Sequence, residues 1–117
     1  MSIKHMDDVN KDIVKAGTNV SMQVLISSKE GPNFAMRRFI FEPGGEMPRH
    51  TNEVEHEQLV LNGKAQVGIG DDVYEVKKGD VLFIPAHVPH WYKNIGEETF
   101  EFLCMVPNKQ DEIKIIK

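Results

Sequence analysis

The stretch "GGEMPRHTNEVEHEQLVLNG", Gly44 to Gly63, decides how the chain is read. Alternate side chains on a strand share a face, so a strand ending near residue 52 sets His50 beside Asn52. The segment "TNEVE" then turns the chain back, and His56 opens the next strand with Gln58 and Val60 on its own face. Asn62–Gly63 closes that strand with a hairpin signal, because Asn and Gly tolerate the positive backbone angles of tight turns. The pattern is a β-hairpin that carries imidazoles at two strand ends.

The rest of the chain repeats this grammar. From residue 20 onward, short apolar runs are separated by turn residues: "VSMQVLIS" (20–27), "FAMRRFIFE" (34–42), "EMPRH" (46–50), "HEQLVLN" (56–62), "KAQVGIG" (64–70), "DVYEVK" (72–77), "DVLFIP" (80–85), "HWYKN" (90–94) and "TFEFLCMVP" (99–107). Between them lie "SKEGPN", "EPGG", "GDD", "KKGD", "PAHVP" and "NIGEE", each with Gly, Pro or Asn or a cluster of polar residues. Only "MDDVNKDIVKAG" offers a helical turn or two. Many strands without helical crossovers predict an all-β antiparallel sandwich or barrel. The expected organisation is an N-terminal arm (1–19), a barrel (20–107) and a charged tail (108–117) whose isoleucines dock it as an edge strand or on a partner. "VLFI" is apolar on both faces, which points to a second layer or a second subunit and hence a homodimer.

Composition narrows the function classes. The chain has 117 residues, 40% hydrophobic and 27% charged, which suits one folded domain rather than a disordered segment. A net charge of -4 with scattered Lys and Arg lacks the footprint of a nucleic-acid binder and argues against an anionic membrane surface. A lone Cys104 makes no intrachain disulfide, and the polar N-terminus lacks a signal-peptide core, so the expected location is cytoplasmic. Phosphate-cradling Gly loops and nucleophile motifs are not seen.

A third histidine, His90, opens "HWYKN" after "GDVLFIPAHVP". Imidazoles converging from separate strand ends suit a transition metal with open coordination positions. Gly44, His50, His56 and Gly63 together resemble the first motif of the cupin family. Gly79, Pro85, His90 and Asn94 resemble its second. "PNF", "MR", "EPGG", "EHE" and "EFLC" are similar to small bacterial and archaeal cupins with a four-histidine manganese site. The resemblance implies a single-domain cupin jelly roll (RmlC-like, a double-stranded β-helix). It further implies a metal site at His50, His56 and His90, with His56 in the slot that most cupins fill with Glu.

Two positions depart from the family pattern. Asn52 stands where the family has His, and it reads as a fourth ligand of weaker field, as a hydrogen-bonding support, or as the mark of a barrel without metal. His87 stands where the second motif has Gly. The expected cofactor is a divalent transition metal: Mn, Fe or Zn first, Ni or Cu as alternatives.

Other residues are pocket candidates. Arg37 and Arg38 are adjacent and point to opposite faces, so one of them faces inward or caps the barrel, as a carboxylate clamp or an interstrand ion pair. Gln58 shares the face of His56, and Tyr92 that of His90. Phe100, Phe102, Cys104 and Val106 share an inner face by parity, and the resemblance sets Phe102 and Cys104 near the metal. Cys104 reads as a small buried hydrophobe as readily as a ligand. Trp91 is expected outside, and Glu53, Glu55 and Glu57 on a solvated face, with Glu55 as a substitute ligand. The functional expectation is a metal-binding cupin acting on a small molecule, as a dioxygenase or by an isomerase-like step. The alternative is a non-catalytic module that binds or senses a small ligand. A metal-independent sugar isomerase lacks a convincing acid/base pair.

Overall fold

Turn chemistry and alternation along the chain produce ten strands, and the computed structural model describes residues 1–116. In chain order they are β1 (Asp12–Ile13), β2 (Thr18–Ile26), β3 (Phe34–Thr51), β4 (His56–Asn62), β5 (Lys64–Ile69), β6 (Asp72–Lys77), β7 (Val81–Ile84), β8 (His90–Asn94), β9 (Phe100–Pro107) and β10 (Lys114–Ile115). All observed pairings are antiparallel, and the sheet runs β6-β5-β8-β3-β9-β4-β7 with β2 and β10 also paired to β3. The N-terminal helical expectation shrinks to a 3-10 turn at Met6–Asp8, followed by β1. His5 caps that turn through its ring, but no buried residue anchors it as a helix.

β3 is one strand where the sequence predicted two. "EPGG" reads as a turn, yet Phe34–Thr51 runs through it. Gly44 takes φ 79, and a side chain on Gly45 would meet the carbonyls of Asn19 and Glu42 at 2.8 Å. The chain therefore bends sharply without losing its pairing, as glycine allows. Before the bend, β3 pairs with β2 and β9; after it, with β8 and β10, and with the start of β2 at Glu46. One strand thus crosses from one layer to the other, and the two layers enclose the core.

That core is built on alternation. Along β9, Phe100, Phe102, Cys104 and Val106 are buried and the residues between them are only partly so. Phe39 stacks on Phe102 at 5.1 Å, and Phe102 on Tyr92 at 5.1 Å, so three aromatic rings from β3, β9 and β8 line up in one wall. Such offset ring pairs add about 0.5–1.5 kcal/mol beyond the area they bury. In β7, Leu82 and Ile84 are buried while Val81 and Phe83 are exposed. Trp91 lies over Gly68 of β5, whose added Cβ would sit 1.9 Å from the indole nitrogen. Among the described residues, no helix is long and apolar enough to cross a membrane.

The tail is pinned to the barrel at both ends. Asn108 N–H donates to Asn33 O at 3.1 Å, and Ile116 N–H donates to Arg49 O at 2.9 Å. Between these anchors β10 pairs Lys114 with Thr51 and Ile115 with His50.

Candidate functional site

The end of β3 and the start of β8 pair His50 with His90 directly. Their ring centroids stand 4.2 Å apart, and the His56 ring lies 5.7 Å from that of His90. All three histidines and Asn52 are buried. They line one cavity of about 210 Å³ together with Arg37, Gln58, Tyr92 and Phe102. Phe39, Phe41, Met47 and Ile113 supply much of its apolar wall.

Hydrogen bonds set the tautomers of two rings. His50 Nδ1 lies 2.7 Å from Pro48 O, and His90 Nδ1 lies 2.9 Å from Val88 O. A carbonyl only accepts, so Nδ1 carries the proton and Nε2 keeps a lone pair. His56 Nδ1 contacts Cys104 Sγ at 3.1 Å, while its buried Nε2 has no partner. Burial disfavours the imidazolium, lowering the pKa of His50 and pushing those of His56 and His90 down to about 4. These rings are neutral at pH 7, the form that ligates metals.

Two amides also present bare oxygens. Asn52 Oδ1 and Gln58 Oε1 are buried without partners. Gln58 Nε2 donates to the Tyr92 hydroxyl at 2.7 Å and leans on Cys104 Sγ at 3.6 Å. Burial raises the pKa of Tyr92, and it pushes the Cys104 thiol up to about 11, so neither is poised as a base. Cys104 is buried within the core and is not part of the cavity lining.

The adjacent arginines part company. Arg37 lines the cavity. Arg38 points the other way, donating to Glu101 and, at 3.0 Å, to Gln23 Oε1. Burial raises the Glu101 carboxyl, but hydrogen bonds from Thr99 and Arg38 outweigh it and hold its pKa low. Gln23 in turn donates to Met6 O and Val9 O, which brings the N-terminal arm over this face. Glu57 sits apart from the cavity lining, and partial desolvation, with Glu55 beside it, raises its pKa.

The sequence reading missed Asp111. It lines the cavity from the tail, accepts from Asn52 Nδ2 at 3.1 Å and accepts from Glu53 N–H at 2.7 Å. His87, in the slot where the family has Gly, takes φ 68, the left-handed region that glycine favours. Its N–H donates to Asn52 O at 2.8 Å, tying the loop before β8 to the turn between β3 and β4.

The model of the cupin domain family matches residues 37–106, the span from the inward arginine to the end of the core strand. The chain belongs to the cupin family. The cupin fold is equally clear in three dimensions: the polyketide cyclase RemF of Streptomyces resistomycificus superposes with a TM-score of 0.92 at 29% identity, covering 100% of this chain and 86% of that one. The 1-methylthio-D-xylulose 5-phosphate methylsulfurylase of Rhodospirillum rubrum is 30% identical over 94 residues, 80% of this chain and 60% of that protein. Protein MJ1618 of Methanocaldococcus jannaschii is 26% identical over 99 residues, 84% of this cupin and 79% of the relative.

Whether this cupin's residues fit a metal turns on their free atoms. Among the described residues, no three His, Cys, Asp or Glu side chains meet as a ready-made ligand group. The donor chemistry does fit. His50 and His90 keep Nε2 lone pairs, and His56 Nε2 and Asn52 Oδ1 are buried orphans on the same cavity. Leaving a polar atom buried and unpaired costs about 1–3 kcal/mol, and a bound cation would offset that cost.

Proposed function

We propose that this cupin holds a divalent transition metal through His50, Asn52, His56 and His90 and acts on a small, oxygen-bearing molecule by an isomerase-like step. The observation that carries the reading is the pair of buried, unpartnered atoms Asn52 Oδ1 and His56 Nε2 on a cavity with an aromatic wall. When bound, the metal would act as a Lewis acid toward a carbonyl or enol oxygen. The chain's own residues do the rest. Phe39, Phe102 and Tyr92, stacked in series, give the cavity an apolar aromatic wall for an unsaturated or ring-bearing substrate. Arg37 adds a cation on the cavity wall for a carboxylate or enolate. Gln58 Oε1 is free to accept a hydrogen bond from a substrate hydroxyl. The likeness to a polyketide cyclase supports rearrangement of an enolisable substrate over dioxygen chemistry, for which the same donor set also serves. Mn, Fe or Zn is the metal we expect on these N and O donors, with Ni or Cu as alternatives.

Metal analysis of protein purified without chelator tests this reading. Stoichiometric metal that falls away in His50→Ala and His56→Ala is the expected result. Protein that carries no metal and takes up no added Mn²⁺ or Co²⁺ would overturn it. A second reading, a non-catalytic module that binds or senses a small ligand, is favoured by the apolar cavity wall of Phe39, Phe41, Met47 and Ile113. It requires ligand binding that is independent of metal.

We also propose that the chain pairs as a homodimer. Leu59, Val81 and Phe83 leave an apolar patch on paired strands β4 and β7, and sedimentation at low concentration would read the mass. The buried free thiol of Cys104 fits a cytoplasmic protein.

A further inference from the structure

We infer that Asp111, from the C-terminal tail, is a positioning residue that turns Asn52 into a metal ligand. The inference rests on the metal reading above. An asparagine amide is two-sided: its oxygen has lone pairs to give, while its NH₂ has none. A histidine in the same slot would have no such ambiguity. Something must therefore choose which side of Asn52 faces the cavity.

The structure shows what does so. An ionised carboxylate only accepts, so Asp111 Oδ2, at 3.1 Å, selects the Asn52 NH₂ and leaves Oδ1 buried without a partner. Asp111 Oδ1 is held by the Glu53 N–H at 2.7 Å, one residue further along the same hairpin. The carboxylate is thus fixed at both oxygens. The tail that carries it is fixed too, at Asn108 on one side and along β10 on the other. Ile113 closes the cavity from the same segment. A carboxylate that accepts from the NH₂ also polarises the amide and makes its oxygen a better donor to a cation.

Asp111→Asn is the decisive substitution because it keeps the shape and inverts the chemistry. The new amide oxygen still accepts from the Glu53 N–H, so the tail stays docked. Its NH₂ now meets the Asn52 NH₂, donor against donor, and Asn52 turns its oxygen outward to accept. Co²⁺ affinity, measured against a competing chelator, is expected to fall by about tenfold or more, the range typical of losing a ligand's supporting partner. The visible bands of bound Co²⁺ should shift with it, while the melting temperature of the metal-free protein stays close to wild type. In an Asn52→His background an imidazole needs no such choice, so adding Asp111→Asn should then change affinity by less than about threefold.

A readout without substitution accompanies these. On adding Zn²⁺ to ¹³C,¹⁵N-labelled wild-type protein, the Asn52 carboxamide carbon should move while both NH₂ protons persist. Equal Co²⁺ affinity and spectrum in wild type and Asp111→Asn, or loss of the Asn52 NH₂ signals on metal addition, would overturn the inference and leave the metal reading standing. Failure of the wild type itself to take up Co²⁺ would overturn both.

Discussion

Two buried asparagines mark the two ends of this barrel, and they are treated in opposite ways. Asn94, at the end of β8, spends every polar atom: its NH₂ donates to Phe41 O at 3.0 Å and Glu98 O at 2.8 Å, and its oxygen accepts from Gly96 N–H at 2.9 Å. Asn52, after β3, has its NH₂ bound to Asp111 and its oxygen bound to nothing. The same side chain, equally hidden from water, closes the structure at one end and leaves it open at the other. A satisfied buried amide serves the fold, and the unsatisfied one is where the ligand site is proposed.

The largest test of this contrast is acid. The histidine end carries rings whose pKa values burial lowers, to about 4 for His56 and His90. In the unfolded chain those rings protonate near 6.5, so below that value the unfolded state binds the extra protons. Stability of the metal-free protein is therefore full above pH 6.5 and falls as pH drops toward 4, by up to about 3 kcal/mol for each ring. Urea unfolding across this window checks it, and His56→Gln should flatten the slope. A flat profile between pH 7 and pH 4.5 would refute the neutral, desolvated histidine end.

Next in size is Asn94→Ala. It orphans two carbonyls and one N–H at the closed end, and about 3 kcal/mol of stability should be lost. The loss should be the same at every pH, because no histidine lies in that network. Asn52→Ala should be far milder, within about 1 kcal/mol, since the substitution removes an unpaired buried oxygen along with one hydrogen bond. Metal uptake should respond the other way round, weakened by Asn52→Ala and little changed by Asn94→Ala in protein that stays folded.

The smallest effect belongs to His87→Gly. His87 holds φ 68, which a side chain resists and glycine accepts. Glycine also gains freedom in the unfolded chain, so the net stabilisation should stay under about 1 kcal/mol by thermal melting. A loss of stability would mean that the imidazole makes a contact worth more than the backbone strain.

Much of the barrel was legible in the chain. β4 and β8 begin and end where the turn residues place them, at His56–Asn62 and His90–Asn94, because a two-residue repeat bounded by Gly, Pro and Asn has few other solutions. Burial alternates along β9 as parity requires. "EPGG" misled because glycine signals a turn and a bend alike. Pairing on both sides kept β3 continuous, and pairing lies outside the local sequence. Parity set Arg37 and Arg38 on opposite faces, but only Glu101, 63 residues from Arg38, shows which of them is neutralised away from the cavity.

By itself, then, the chain determined most of its strands, its family and the histidines at strand ends. Those depend on local backbone preference and on spacing, which are written residue by residue. The tertiary structure alone decided that Asn52 faces Asp111 across 59 positions of sequence. It also decided that His50 and His90 become cross-strand neighbours and that the tail closes over them. Contacts of that kind arise from the folding of distant strands onto one core, and no local pattern of residues encodes which side of an amide is left free.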